Sequence, residues 1–185
     1  MKFLTNIKEF FRLYQSFSRL PNSVQLLIKQ ETIFGTQTKG ELKSIPLPLL
    51  YALTQVGLEE YTEPGMSNPE IEKYFNSVDL GTPVLDDIAW CAAFINWCLD
   101  KGSIIGTGHA LAKSFLTWGE EVTGKPNLGD IVVLKRGTSE WQGHVAFYLD
   151  HSSGMYRLLG GNQLNRVGVN AYPKEQVISI RRYQR

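Results

Sequence analysis

The sequence is poor in cysteine. Its 185 residues contain only two, Cys91 and Cys98, which is too few for a disulfide framework. If both lie on one helix, the seven-residue separation corresponds to about 10 Å of rise. Bridged cysteines have Cα atoms within about 7 Å of each other. We therefore expect both thiols to be free and the protein to be made in a reducing compartment.

Long apolar runs and an excess of one charge are also missing. No segment approaches the roughly 20 apolar residues that span a bilayer. Lys8, Glu9 and Arg12 interrupt the N-terminal stretch that could otherwise act as a signal peptide. We expect cytoplasmic synthesis without a signal peptide, so that action outside the cytoplasm requires delivery. The 19 basic and 18 acidic residues are interspersed, which argues against a nucleic-acid partner.

Metal-binding and phosphate-binding motifs are lacking as well. The three histidines and two cysteines show neither Cys-x-x-Cys nor His-Glu-x-x-His spacing. The glycines of Gly106-Thr107-Gly108 are not followed by the Gly-Lys-Ser/Thr of a phosphate loop. We therefore expect no metal and no cofactor.

The order of the predicted elements indicates an α+β fold. Aromatic residues at helical spacing over residues 7–20, followed by a polar stretch from Gly35 to Lys43, predict a helical N-terminal appendage and linker, residues 1–44. The main domain is predicted over residues 45–185. It begins with helices, among them one that Asn68 caps ahead of Pro69. After Gly124, β-branched and aromatic residues predict antiparallel strands over residues 131–135, 145–149, 156–159 and 177–183.

Three separated motifs supply the parts of a cysteine nucleophile. Cys91 lies near the predicted start of a helix, where amide groups and the helix dipole favour the thiolate. His144 begins an apolar strand and is the candidate base. Asn162 follows Gly160 and Gly161 and is the candidate that orients the imidazole, with Gln163 as the alternative. Each residue also has an ordinary structural interpretation: a core thiol, a surface histidine and a turn amide.

Taken in order, these motifs resemble the papain-like bacterial cell-wall peptidases of the NlpC and CHAP type. The resemblance covers about residues 48–183. The matching segments are Trp90-Cys91-Ala92-Ala93-Phe94, Gly106-Thr107-Gly108 with Ala110-Leu111-Ala112-Lys113-Ser114, Leu128-Gly129-Asp130-Ile131-Val132-Val133, Gly143-His144-Val145 and Leu159-Gly160-Gly161-Asn162-Gln163.

The resemblance implies helices packed on a small antiparallel sheet or half-barrel. It implies hydrolysis of an amide bond in peptidoglycan, with Cys91 as nucleophile, His144 as base and then acid, and Asn162 as the orienting residue. It also implies a lysin or an antibacterial effector that acts on the cell wall or in the periplasm. An immunity protein or a delivery machine that binds the N-terminal segment would be a partner. Two alternatives stay open: an acyltransferase or deamidase acting on a protein, and a non-catalytic wall-binding module.

Overall fold

The structure is a computed structural model that describes residues 45–61, 63, 65–80 and 89–183. The N-terminal appendage predicted over residues 1–44 lies outside these residues. In the described part, helices come first and antiparallel strands follow, so the predicted α+β class is confirmed. No helix in this part of the chain is long and apolar enough to cross a membrane.

In the described residues three α-helices precede the sheet, and three short 3₁₀ helices occur along the chain. Asn68 caps the second as predicted, because its side chain accepts a hydrogen bond of 3.0 Å from the Glu70 N–H and Pro69 is the first helical residue. The segment around Phe115 forms a 3₁₀ helix. The α-helices are α1 (Leu47–Thr54), α2 (Pro69–Glu72) and α3 (Cys91–Lys101), and the 3₁₀ helices are Lys73–Ser77, Ala112–Thr117 and Lys174–Gln176.

Among the described residues, six strands form one antiparallel sheet in the order β1-β6-β2-β3-β4-β5. Four of them coincide with predicted strands, and the sequence did not predict β1 or β5. From β2 to β5, the strands are neighbours in the sheet in the same order as in the sequence. Strand β6 pairs with the remaining edge of β2. The strands are β1 (Glu120–Glu121), β2 (Ile131–Lys135), β3 (Gly143–Ser152), β4 (Met155–Gly160), β5 (Gly168–Pro173) and β6 (Val177–Arg182).

Helix α3 is the centre of the larger core. Nearly all of its residues are buried, which requires apolar neighbours on every side. It packs against α1, against the 3₁₀ helix Lys73–Ser77 and against β3. Gly102 ends the helix, and a Cβ atom there would lie 2.7 Å from Cγ of Pro48, so glycine permits the close approach of α1. The position of the first residue of α3 is therefore fixed by packing along the whole helix.

The sheet separates two apolar clusters. Val145, Phe147 and Leu149 of β3 lie in the cluster that contains α3. Ala146 and Tyr148 alternate with them and lie in a smaller cluster on the opposite face. Strand β3 is thus buried on both faces, and its first residues lie at one end of the sheet.

Candidate active site

Cys91 is the first residue of α3, and only 2% of its surface is exposed. Trp90 precedes it and is completely buried, with its Nε1–H donating a 2.6 Å hydrogen bond to Glu60. The Trp90 ring also packs on Phe94 and Tyr74, with ring centroids 6.4 and 5.7 Å away. These contacts hold the start of α3, and therefore the Cys91 sulfur, in one place. Cys98 lies further along the same helix and is fully buried in the core.

Gly161 brings the loop after β4 into contact with the start of α3. A Cβ atom at this position would lie 2.4 Å from the Trp90 ring and 2.7 Å from Cβ of Phe94, distances that real Cβ atoms do not show. Glycine is therefore required by the close approach of the two segments. The loop that carries the candidate amides is thereby placed against the helix that carries the thiol.

His144 is the second residue of β3 and is 3% exposed. It pairs with Leu134 of β2. Its Nε2 lies 3.2 Å from Oε1 of Gln163, and the ring packs on Tyr172 at a centroid distance of 5.6 Å. Nδ1 is buried, and no described residue forms a hydrogen bond with it. His144 is thus a buried imidazole with one ring nitrogen bonded and one still available.

Gln163 is buried and its amide is fixed by the backbone around it. Its Nε2 donates to the carbonyls of Leu158, at 3.2 Å, and of Gly168. Its Oε1 accepts a 2.7 Å hydrogen bond from the Tyr172 hydroxyl and faces His144. Because an amide oxygen only accepts, the His144 nitrogen facing it must carry the proton. The neutral imidazole therefore has N–H at Nε2 and its lone pair at Nδ1.

Asn162 lies next to Gln163 in the turn after β4. It is half-buried, its φ is 53°, and the described residues include no hydrogen bond between it and His144. Asparagine tolerates this left-handed conformation better than most residues. The turn at Asn162 directs the next side chain inward, so the structure brings Gln163, the alternative, to His144.

Burial dominates the electrostatics of the thiol. It raises the pKa of Cys91, and three smaller effects oppose it: a hydrogen bond from the Val145 backbone, the charge of Arg136, and the amides of Ala92 and Cys91 itself. The sequence predicted a lowered thiol pKa from the helix N-terminus, and this is wrong. The reason is that the sulfur is enclosed by the core, and desolvation outweighs the local dipoles.

The imidazole is affected in the same sense. Burial lowers the pKa of His144 to about 4, the hydrogen bond to Gln163 opposes this shift, and the charge of Arg136 adds to it. At neutral pH the resting site therefore holds a thiol and a neutral imidazole rather than a thiolate and an imidazolium. In that state His144 can accept a proton, and Nδ1 is the nitrogen that can receive it.

The other histidines lie outside this arrangement. His109 is exposed, and His151 contacts Tyr148 and Tyr156 on the second face of the sheet. The described residues contain no group of three or more histidine, cysteine or acidic side chains that could hold a metal ion. Sequence reasoning missed Tyr172 because it did not predict β5. It also missed Arg136, for which the adjacency to β2 was the available signal.

A helix that begins with a buried cysteine, packed on an antiparallel sheet with a buried histidine and amide, defines the papain-like α+β class. Residues 84–162 match the CHAP domain family. A solved structure from Staphylococcus aureus subsp. aureus Mu50, described as similar to a lipoprotein of the NLP/P60 family, is 16% identical with a TM-score of 0.50. The alignment covers 96% of this chain and 61% of that one. No curated protein is significantly similar. Residues 84–162 are therefore similar to CHAP domains, and the fold is similar to that of the NLP/P60 structure, as the motifs predicted.

Proposed function

We propose that this protein hydrolyses an amide bond of peptidoglycan by a cysteine mechanism. Cys91 is the nucleophile, His144 the base and then the acid, and Gln163 a positioning residue that holds His144. The proposal is supported chiefly by the amide of Gln163, because its orientation leaves the Nδ1 lone pair of a buried histidine free beside a cysteine helix. The CHAP match and the NLP/P60 likeness support peptidoglycan as the substrate class.

The reaction proceeds in two balanced steps. The Cys91 sulfur attacks the carbonyl carbon as its proton moves to Nδ1 of His144, and the carbonyl oxygen becomes an oxyanion. The backbone N–H of Cys91 is a candidate donor to this oxyanion. The C–N bond then breaks, the amine leaves with the proton from His144, and a thioester remains. Water attacks the thioester with His144 as base, which releases the carboxylic acid and restores the thiol.

The bond cleaved is a peptide link of the stem or cross-bridge, or the amide that joins the stem to the sugar. The lysin and effector roles, and an immunity or delivery partner, follow from the sequence resemblance and stay predictions. The acyltransferase and wall-binding alternatives would share the site but give no new wall fragments.

The test is a digest of purified peptidoglycan, with soluble products identified by mass spectrometry. Wild type and Cys98→Ala should release the same fragments, whose masses name the bond, and Cys91→Ala should release none. Cys98→Ala is the matched control because it removes the other buried thiol of the same helix. Fragments from Cys91→Ala, or none from wild type on walls of several compositions, would contradict the proposal.

A further inference from the structure

Arg136 is an exposed cation next to the candidate site. It follows the last residue of β2 directly. The ion pairs formed among the described residues use other arginines and lysines, so no described carboxylate neutralises its guanidinium. An exposed arginine without a carboxylate partner is free to bind one that arrives with a ligand.

The register of the sheet places Arg136 near His144. Leu134 pairs with His144, and Lys135 pairs with Gly143. Arg136 follows Lys135 directly, so it lies at the end of the sheet where His144 stands. Diagonal positions on paired strands are about 7–8 Å apart, a distance that a long side chain can bridge. Lys135 is also exposed, but its charge is not among those that shift the pKa of Cys91, His144 or Tyr172.

The charge of Arg136 acts on three groups of the site. Burial is the largest influence on each, and the Arg136 charge then lowers the pKa of the Cys91 thiol, of the His144 imidazole and of the Tyr172 hydroxyl. These groups come from α3, β3 and β5, so the guanidinium stands where these elements converge. A ligand seated at Cys91 would lie within reach of it.

We propose that Arg136 forms a subsite for a carboxylate of the substrate next to the amide bond that Cys91 attacks. A guanidinium binds a carboxylate through two parallel hydrogen bonds and does not offer the same fit to a neutral carboxamide. The proposal rests on the proposed function, and it narrows the substrate to peptides that carry a free carboxylate beside the scissile bond. The amidated form of the same peptide would be the poorer substrate.

The first test uses two reagents that alkylate Cys91 and differ only in this group, iodoacetate and iodoacetamide. In both reactions the Cys91 sulfur attacks the CH₂ carbon, iodide leaves, and the thiol proton passes through His144 to water. A change in thiol reactivity alters both rates equally and cancels in their ratio. At fixed pH and low salt, the ratio of iodoacetate to iodoacetamide rate at Cys91 should fall about fivefold in Arg136→Gln. Arg136→Lys should lose less of it.

The matched control is Lys135→Gln, which removes the adjacent exposed cation and should leave the ratio at the wild-type value, because its charge is not among those that act on Cys91 or His144. Unfolding midpoints of all variants should agree, since the residues are exposed. An unchanged ratio in Arg136→Gln, or an equal fall in Lys135→Gln, would overturn the subsite. So would an equal loss of both rates, because Arg136 would then act on the thiol alone.

A second test uses soluble stem peptides that differ only by carboxylate or carboxamide beside the cleaved bond. Wild type should favour the carboxylate form in kcat/KM, mainly through KM, and Arg136→Gln should remove this preference. An equal rate on both peptides in wild type would overturn the subsite. The alkylation ratio does not depend on turnover. A wall digest that fails while the ratio still falls in Arg136→Gln would therefore refute peptidoglycan hydrolysis and support the carboxylate subsite.

Discussion

Gln163 decides which nitrogen of His144 carries the proton. Its own amide is oriented by backbone carbonyls of β4 and β5, and its oxygen is shared between His144 and Tyr172. The two strands therefore fix the orientation of the Gln163 amide, and this orientation places the His144 proton on Nε2. The neighbouring Asn162 contributes the backbone turn that makes this geometry attainable.

Replacing Gln163 by alanine should lower kcat/KM for wall or peptide cleavage by about 10- to 100-fold, because the imidazole loses its orienting acceptor. The acid limb of the pH profile should move to lower pH, since the Gln163 hydrogen bond raises the pKa of His144. Asn162→Gly keeps the left-handed turn and should stay within about threefold of wild type. Kinetics across pH 3–8 test this. Loss of activity in Asn162→Gly with a normal Gln163→Ala would reverse the assignment.

At the scale of elements, the loop from β4 to β5 and the start of α3 are held together by the absence of a side chain at Gly161. A second contact, made by hydrogen bonds, joins the start of β2 to the end of β6. Buried Asp130 accepts hydrogen bonds of 2.8 and 2.7 Å from Arg182 and one of 2.7 Å from the Asn127 N–H. Both contacts fix elements that carry the site rather than the site itself.

Gly161→Ala should destabilise the protein by about 1–3 kcal/mol, because the new Cβ overlaps the Trp90 ring and the helix start must shift. The free energy of unfolding in urea measures the effect. Gly124→Ala is the control, since a Cβ there meets nothing within 4 Å and its effect should stay within about 0.5 kcal/mol. Equal stability of the two variants would show that the close approach is not tight.

Asp130→Ala should cost about 2 kcal/mol of unfolding free energy, because it removes the carboxylate that accepts hydrogen bonds from the Arg182 guanidinium and the Asn127 N–H. Part of the charge remains hydrated, since the Arg182 side chain is 36% exposed, which keeps the cost moderate. Lys73→Gln removes an exposed ion pair and should cost less than about 0.5 kcal/mol. Urea unfolding measures both losses of unfolding free energy. Similar losses in the two variants would contradict the argument.

At the scale of the whole molecule, His144 couples the fold to pH. Its pKa is about 4 in the folded protein and about 6.5 in the unfolded chain. Between these values the unfolded chain binds a proton that the folded protein does not, so acid favours unfolding. The stabilisation is fully present above pH 6.5 and is lost as the pH falls towards 4.

Between pH 7.5 and pH 5 this single group should remove about 2 kcal/mol of unfolding free energy. His144→Gln has no titrating ring, so its unfolding free energy should fall by about 2 kcal/mol less than that of wild type. The carboxylates contribute equally to both proteins and cancel in this comparison. Urea unfolding at the two pH values provides the comparison. An identical loss in wild type and His144→Gln would mean that His144 is not buried as a neutral base.

Much of the molecule was predictable from the sequence. The Asn68-Pro69 pair predicts a helix start from local residue types alone, and residue types and turn signals predict the apolar strands after Gly124. The α+β class and the similarity to CHAP domains followed from local motifs in a fixed order. The sequence did not predict strand β5, because Gly-Val-Asn-Ala-Tyr-Pro is a weak strand signal. This segment forms a strand because it pairs with β4.

Only the tertiary structure decided which amide meets the histidine and in which state the thiol rests. Asn162 and Gln163 are adjacent, and their side chains separate because a left-handed backbone turn directs one of them inward. The helix N-terminus favoured a thiolate locally, yet the core packed around Cys91 raises its pKa. The sequence by itself determined the chemistry available. Long-range packing, which sets burial and orientation, decided how that chemistry is arranged.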